Sequence, residues 1–157
     1  MDRLEIVRQA IDEIVRQQPD QEERRCGFVH LYGVSDICIL LALKPGLDPQ
    51  LCAAAGMLHD IWNYKVWDNP EHARLGSQEA GRILQDSGLY TAGEIDQICQ
   101  AVARHGNKQG IDSAMDELLK DADVFQHYLY NPALPVRWTG RLEKVFAEFG
   151  LDPSILH

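Results

Sequence analysis

Four polar residues stand where apolar side chains belong. His30 lies in FVHLYGVS, His59 and Asp60 in AAAGMLHDIWNY, and Asp123 in LLKDADVFQHY. At helical spacing His30 shares a face with Cys26, Val34, Ile37 and Leu41, and His59 shares one with Cys52, Ala55 and Trp62. Asp123 falls one turn after Leu119 and beside Val124 and Phe125, whereas Asp121 reads as a surface residue of the same helix. Asp60 follows Ala53 and Gly56, small residues that admit a neighbouring helix. Burying a polar group without a partner costs a few kcal/mol, and a bare carboxylate costs more. Any one of these histidines alone reads as a hydrogen-bonded core residue. As a set, two imidazoles and two carboxylates on three apolar-faced helices match what a divalent cation requires.

The elements that must position them are helical almost throughout. A first helix over about 3–17 places Leu4, Val7, Ile11, Ile14 and Val15 on one side. A second, about 21–43, ends at Pro45 and Gly46. Asp48 caps a third with Pro49 at its first position, and that helix carries His59 and Asp60 in its middle. Asn69 and Pro70 open a fourth over about 70–86, closed by Gly88. TAGE (91–94) and SAMD (113–116) have capping-box spacing and open the fifth and sixth. A last helix runs over about 137–149. No β-branched alternating run is present, so the expectation is an all-α, compact, single-domain bundle of about six to seven helices spanning 1–157. Its metal-site core covers about 25–130, and the C-terminal helix packs on that core.

Bulk properties narrow the function. A formal charge of −9 argues against a broad nucleic-acid surface, which needs clustered Lys and Arg. It leaves room for a small phosphorylated substrate whose charge a metal or a few local cations offset. The N-terminal stretch carries charges throughout, unlike a secretory signal, and the longest apolar run, Ile37 to Leu43, is well short of the ~20 residues of a membrane span. Cys26, Cys38, Cys52 and Cys99 show no CxxC spacing and read as reduced, buried thiols. A cytoplasmic protein without membrane partners is expected, and the chain could pair with a second copy as a homodimer.

The order H…HD…D, carried by FVHLYGVS, MLHDI and LKDADVF, resembles the HD superfamily of metal-dependent phosphohydrolases. The resemblance spans about residues 25–130 and implies that His30, His59, Asp60 and Asp123 ligate one divalent metal. HARLG (72–76) and ICQAVARHGNK (98–108) are similar to segments that supply extra histidines in two-metal members, here His72 and His105. Asp60 would then bridge two ions; alternatively one ion binds, and His72 and His105 contact a substrate phosphate. Imidazole and carboxylate ligands without thiolate suit Mn, Fe, Co, Ni, Zn or Mg, one or two per chain.

The implied activity is hydrolysis of a phosphate ester or anhydride of a small metabolite or nucleotide by metal-activated water. Lys108, Lys120 and Arg25 are candidate phosphate contacts, each of which could equally be a solvated cation. Nucleotidase-like members carry a glutamate three residues after the HD aspartate; here that position is Asn63, which takes no proton. Proton transfer then falls to His105 or to the activated water, so Asp60 and His105 are the catalytic candidates. The Pro/Gly/Arg segment of members that split dinucleoside polyphosphates is replaced by VFQHYLYNP. His127, one turn after Asp123, could bond that carboxylate or sit in the core beside Tyr128. Trp62, Tyr64 and Trp67 line a pocket or close the core. Two other readings stand beside hydrolysis: a di-iron oxygenase of the superfamily, resembling myo-inositol oxygenase, and a non-catalytic HD sensing or interaction module, which Asn63 favours and the intact ligand set opposes.

Overall fold

The computed structural model describes residues 2–43, 46–66 and 69–156, so Pro45, Trp67 and His157 lie outside it. Among the described residues there is no strand. Seven helices of ten or more residues are α1 (Arg3–Arg16), α2 (Gln21–Ala42), α3 (Pro49–Leu58), α5 (His72–Ser87), α6 (Ala92–Arg104), α7 (Ala114–Tyr130) and α8 (Thr139–Glu148). The five-residue α4 (Ile61–Lys65) follows α3, and a 3-10 turn (Pro153–Leu156) follows α8.

Local chemistry explains most of these boundaries. Asp2, Asp20 and Asp48 each accept a backbone N–H at the start of α1, α2 and α3. Thr91/Glu94 and Ser113/Asp116 complete reciprocal capping boxes on α6 and α7. Gly88 closes α5 in the left-handed region at φ 65°, where a side chain would be strained. Two starts fall later than the sequence suggests. Asn69 Oδ1 accepts the Glu71 N–H at 2.9 Å, which ties off a turn, and α5 begins at His72. Likewise α8 begins at Thr139, because Trp138 takes left-handed φ 59°, ψ 44° and cannot belong to the helix. For a bulky side chain that conformation costs about 1–2 kcal/mol.

Helix α2 is the hub, packing on α3 and α7, while α5 pairs with α6. Its length and apolarity alone would allow a membrane span, but half of that apolar stretch is buried inside the fold. Leu31, Val34, Ile11, Leu58, Ile98, Leu119 and Leu142 are fully buried, each contributing about 1.5–3 kcal/mol of burial. Gly56 sets how closely α2 and α3 approach, since a Cβ there would lie 2.8 Å from Ser35 Cα. Helix α8 packs on α7 through Phe146 against Phe125 and Tyr128.

Candidate metal centre

His59 and Asp60 are not in the middle of a helix. α3 ends at Leu58, His59 is its C-cap, and Asp60 takes φ −111°, ψ 15° before α4 begins. The physical reason is directional. Successive side chains on a continuous helix diverge by about 100°, whereas the break after Leu58 lets both point at one place. His30 comes from mid-α2 and Asp123 from mid-α7, so α2, the break between α3 and α4, and α7 deliver the four groups together.

The imidazoles are oriented from behind. His59 Nδ1 donates to Gly56 O at 2.7 Å and His30 Nδ1 to Gln126 Oε1 at 2.6 Å. The other end of the Gln126 amide donates to Val29 O at 3.5 Å, which fixes which end faces His30. With both Nδ1 atoms protonated, the two Nε2 atoms face each other at 3.0 Å. Between neutral rings that places lone pair against lone pair, which a proton on one ring or a cation shared by both relieves. Asp60 Oδ2 stands 3.4 and 3.5 Å from the same two nitrogens, and Asp123 Oδ1 3.5 and 3.7 Å from them. Metal–ligand bonds of ~2.0–2.2 Å space adjacent ligands by about 3.0–3.6 Å, and four of these five separations fall within that range, the fifth just beyond it at 3.7 Å. Asp123 Oδ1 is moreover buried, with imidazole Nε2 atoms of His127, His30 and His59 around it at 3.3, 3.5 and 3.7 Å. The four residues fit a divalent ion.

A second group of ligand atoms adjoins the first. Asp60 Oδ1 lies 3.2 Å from His105 Nε2 and 3.7 Å from His72 Nε2. Those rings are turned by Nδ1 donation to Val102 O at 2.7 Å and Asn69 O at 3.2 Å. All four imidazoles thus present Nε2, and the two oxygens of Asp60 face two different ligand sets, as a bridging carboxylate would.

Electrostatics follow from this crowding. Burial pushes the Asp60 carboxyl up, but His59, His105 and His30 outweigh it and hold the group well below the usual carboxylate range. Asp123 is likewise raised by burial and carried well below by Lys108, His127 and His59. Burial lowers the His59 imidazole. In His30 and His105 burial is outweighed by Asp60 and Asp123, so both sit above the ordinary histidine value.

The remaining candidates separate. Lys108 reaches the site, where its ammonium donates to the Asp123 carboxylate and to His105 O. Lys120 does not: it is fully buried on Gly110 O, Asp112 and Glu117, a structural cation rather than a phosphate contact. Arg25 is exposed and pairs with Glu22 at 3.7 Å, apart from the converging groups. Asp121 is not a surface residue; it is buried against Arg141 and Lys144. His127 is exposed rather than packed in the core, with Nε2 3.3 Å from Asp123 Oδ1. Tyr64 packs against Gly27, partly buried at the edge of the core.

Two supporting residues escape sequence reasoning. Gln126 looks like an ordinary helix-surface amide, and only its position one turn after Asp123 hints at its bond to His30. Asn63, read only as a missing glutamate, donates Nδ2 to Asp60 Oδ1 at 3.1 Å. A family model described as HD domain matches residues 27–128, a span that contains all six converging residues. No solved structure matches the chain.

Proposed function

Because the chain belongs to the HD-domain family of metal-dependent phosphohydrolases, we propose that it hydrolyses a phosphate ester or anhydride of a small metabolite or nucleotide. The observation that carries this reading is the convergence of the His30 and His59 Nε2 atoms with Asp60 Oδ2 and Asp123 Oδ1. His30, His59, Asp60 and Asp123 would hold one divalent ion, and Asp60, His72 and His105 a second. Such an ion lowers the pKa of a water and offsets charge on a phosphoryl oxygen.

The chain's own residues supply the rest. Gln126 fixes the His30 tautomer, and Asn63 holds the Asp60 oxygen that faces His72 and His105. Lys108 keeps Asp123 ionised. Both nitrogens of His105 are engaged, which suits a ligand better than a proton carrier. His127, exposed at the edge of the site with Nε2 against Asp123, is the imidazole placed to meet a leaving oxygen.

Elemental analysis of gently purified protein, followed by phosphate release from a panel of small phosphate esters and anhydrides, tests the proposal. About one or two Mn, Zn, Ni, Co or Mg with metal-dependent phosphate release supports it. A protein that takes up no divalent ion on addition overturns it and leaves the sensing module. A specific observation also keeps the di-iron oxygenase in view: His72 and His105 converge on the far oxygen of Asp60. Two irons with oxygen consumption and no phosphate release would select that reading.

A further inference from the structure

A cavity of about 300 Å³ opens beside the metal centre, between α7 and the connection to α8. Asp123, Lys108 and His127 form part of its wall, so the cavity adjoins the centre through Asp123. The far lining is of a different kind: Tyr128, Leu134, Pro135, Val136 and Trp138, with Arg137 among them.

Two residues of that lining are unusual. Trp138 is the described chain's one non-glycine residue at positive φ, and its ring is left partly in water at 43 % exposure. A bulky side chain held in a strained backbone and not used for the core is a feature found at ligand clamps. Arg137 is the other. Nine of the ten arginines bond a carboxylate or a backbone carbonyl. Among the described residues Arg137 has no such partner, although the chain carries 24 acidic residues. The unpaired guanidinium and the strained indole are neighbours in sequence and line the same cavity.

We infer that this cavity selects the substrate: Arg137 takes non-bridging oxygens of the phosphoryl group, and Trp138 covers a single flat ring in the organic part. The inference rests on the phosphohydrolase reading and adds the substrate class, a compact phosphomonoester bearing one aromatic or heteroaromatic ring. The size supports compactness. The space equals about ten waters and lies at the small end of ligand pockets, enough for a ring and too little for an oligomeric chain. Arg suits this role because its planar fork matches phosphoryl oxygens and its charge is permanent.

Phenylphosphonate and methylphosphonate, which are not hydrolysed, isolate ring recognition from leaving-group chemistry. Titration calorimetry on the metal-loaded protein should give phenylphosphonate at least about tenfold tighter binding, the scale of one ring stacked on an aromatic side chain. Trp138→Asn removes the ring while tolerating the left-handed backbone, and should abolish that preference with methylphosphonate affinity unchanged. Arg137→Gln, a change at an exposed side chain with no partner, should weaken both ligands by about the same tenfold factor. Equal binding of the two phosphonates by the wild type, or a preference that survives Trp138→Asn, overturns the inference and leaves the phosphohydrolase reading standing. Binding of neither ligand by protein that holds its metal removes that reading, and this one with it.

Discussion

At the scale of single residues the site is held by what stands behind the ligands. Gln126 accepts from His30 Nδ1 at 2.6 Å and so sets which nitrogen of that ring faces the site. Gln126→Leu should lower metal affinity by about 10–100-fold, read by competition with a chromogenic chelator, while the fold melts normally. Asp60→Ala removes the carboxylate that faces both ligand sets and should abolish metal binding; unchanged metal content in that variant would sink the assignment. Proton competition gives a third expectation. Asp60 and Asp123 lie well below the usual carboxylate range, and His59 lies below the ordinary histidine value, so none of the three holds a proton near neutrality. His30 is raised and must lose its proton to ligate. The affinity for the first ion should therefore be level above the raised His30 value and fall with about one proton per ion as pH drops through it, beginning above ~6.5. Calorimetry in buffers of different ionisation enthalpy counts that proton. A decline confined to the carboxylate range would contradict the arrangement.

At the scale of elements the decisive features are a close approach and a break. Gly56 lets α3 touch α2 at Ser35, and this contact sets the 3.0 Å between the His30 and His59 nitrogens. Gly56→Ala forces a Cβ into backbone that cannot yield cheaply. Overpacking of this kind costs about 1–3 kcal/mol, and at about 2–4 °C per kcal/mol for a chain of this size the loss is visible in a thermal melt. Metal affinity should fall in the same variant, because the two helices that carry the imidazoles move apart. The break at His59–Asp60 acts by direction: a continued helix would send one of the pair away from the site.

At the scale of the whole molecule, α8 fastens the loop that ends in the site. Arg141 donates to Lys108 O and Gly110 O in that loop and to Glu117 and Asp121 on α7. The segment so held follows His105 and contains Lys108. Arg141→Met strips these carbonyls and carboxylates of a shared partner. Removing one side of a buried pair costs about 3–5 kcal/mol; the lower end is expected here, since Lys120 and Lys144 still serve Glu117 and Asp121. The melting temperature should drop and metal uptake at the His72–His105 pair should weaken, though α8 contributes no ligand.

The amino-acid sequence by itself determined where most helices lie, most of their caps and which polar residues are the candidate ligands. Those signals are local: Asp48 before Pro49, the two capping boxes, Gly88, and polar residues on apolar stripes are legible because neighbours along the chain decide them. The superfamily was legible for the same reason, through short motifs in order. What only the tertiary structure decided is which polar residues meet. Lys120 and Lys108 look alike in sequence, yet one is enclosed by Asp112 and Glu117 and the other reaches Asp123, because loop 105–113 folds back across α7. Asp121 and Asp123 are two residues apart on one helix and face different partners, Arg141 and the imidazoles. The roles of Gln126, Arg137 and Trp138 depend on neighbours nearly a hundred residues away or on a backbone angle, and distance in space is not written in local pattern.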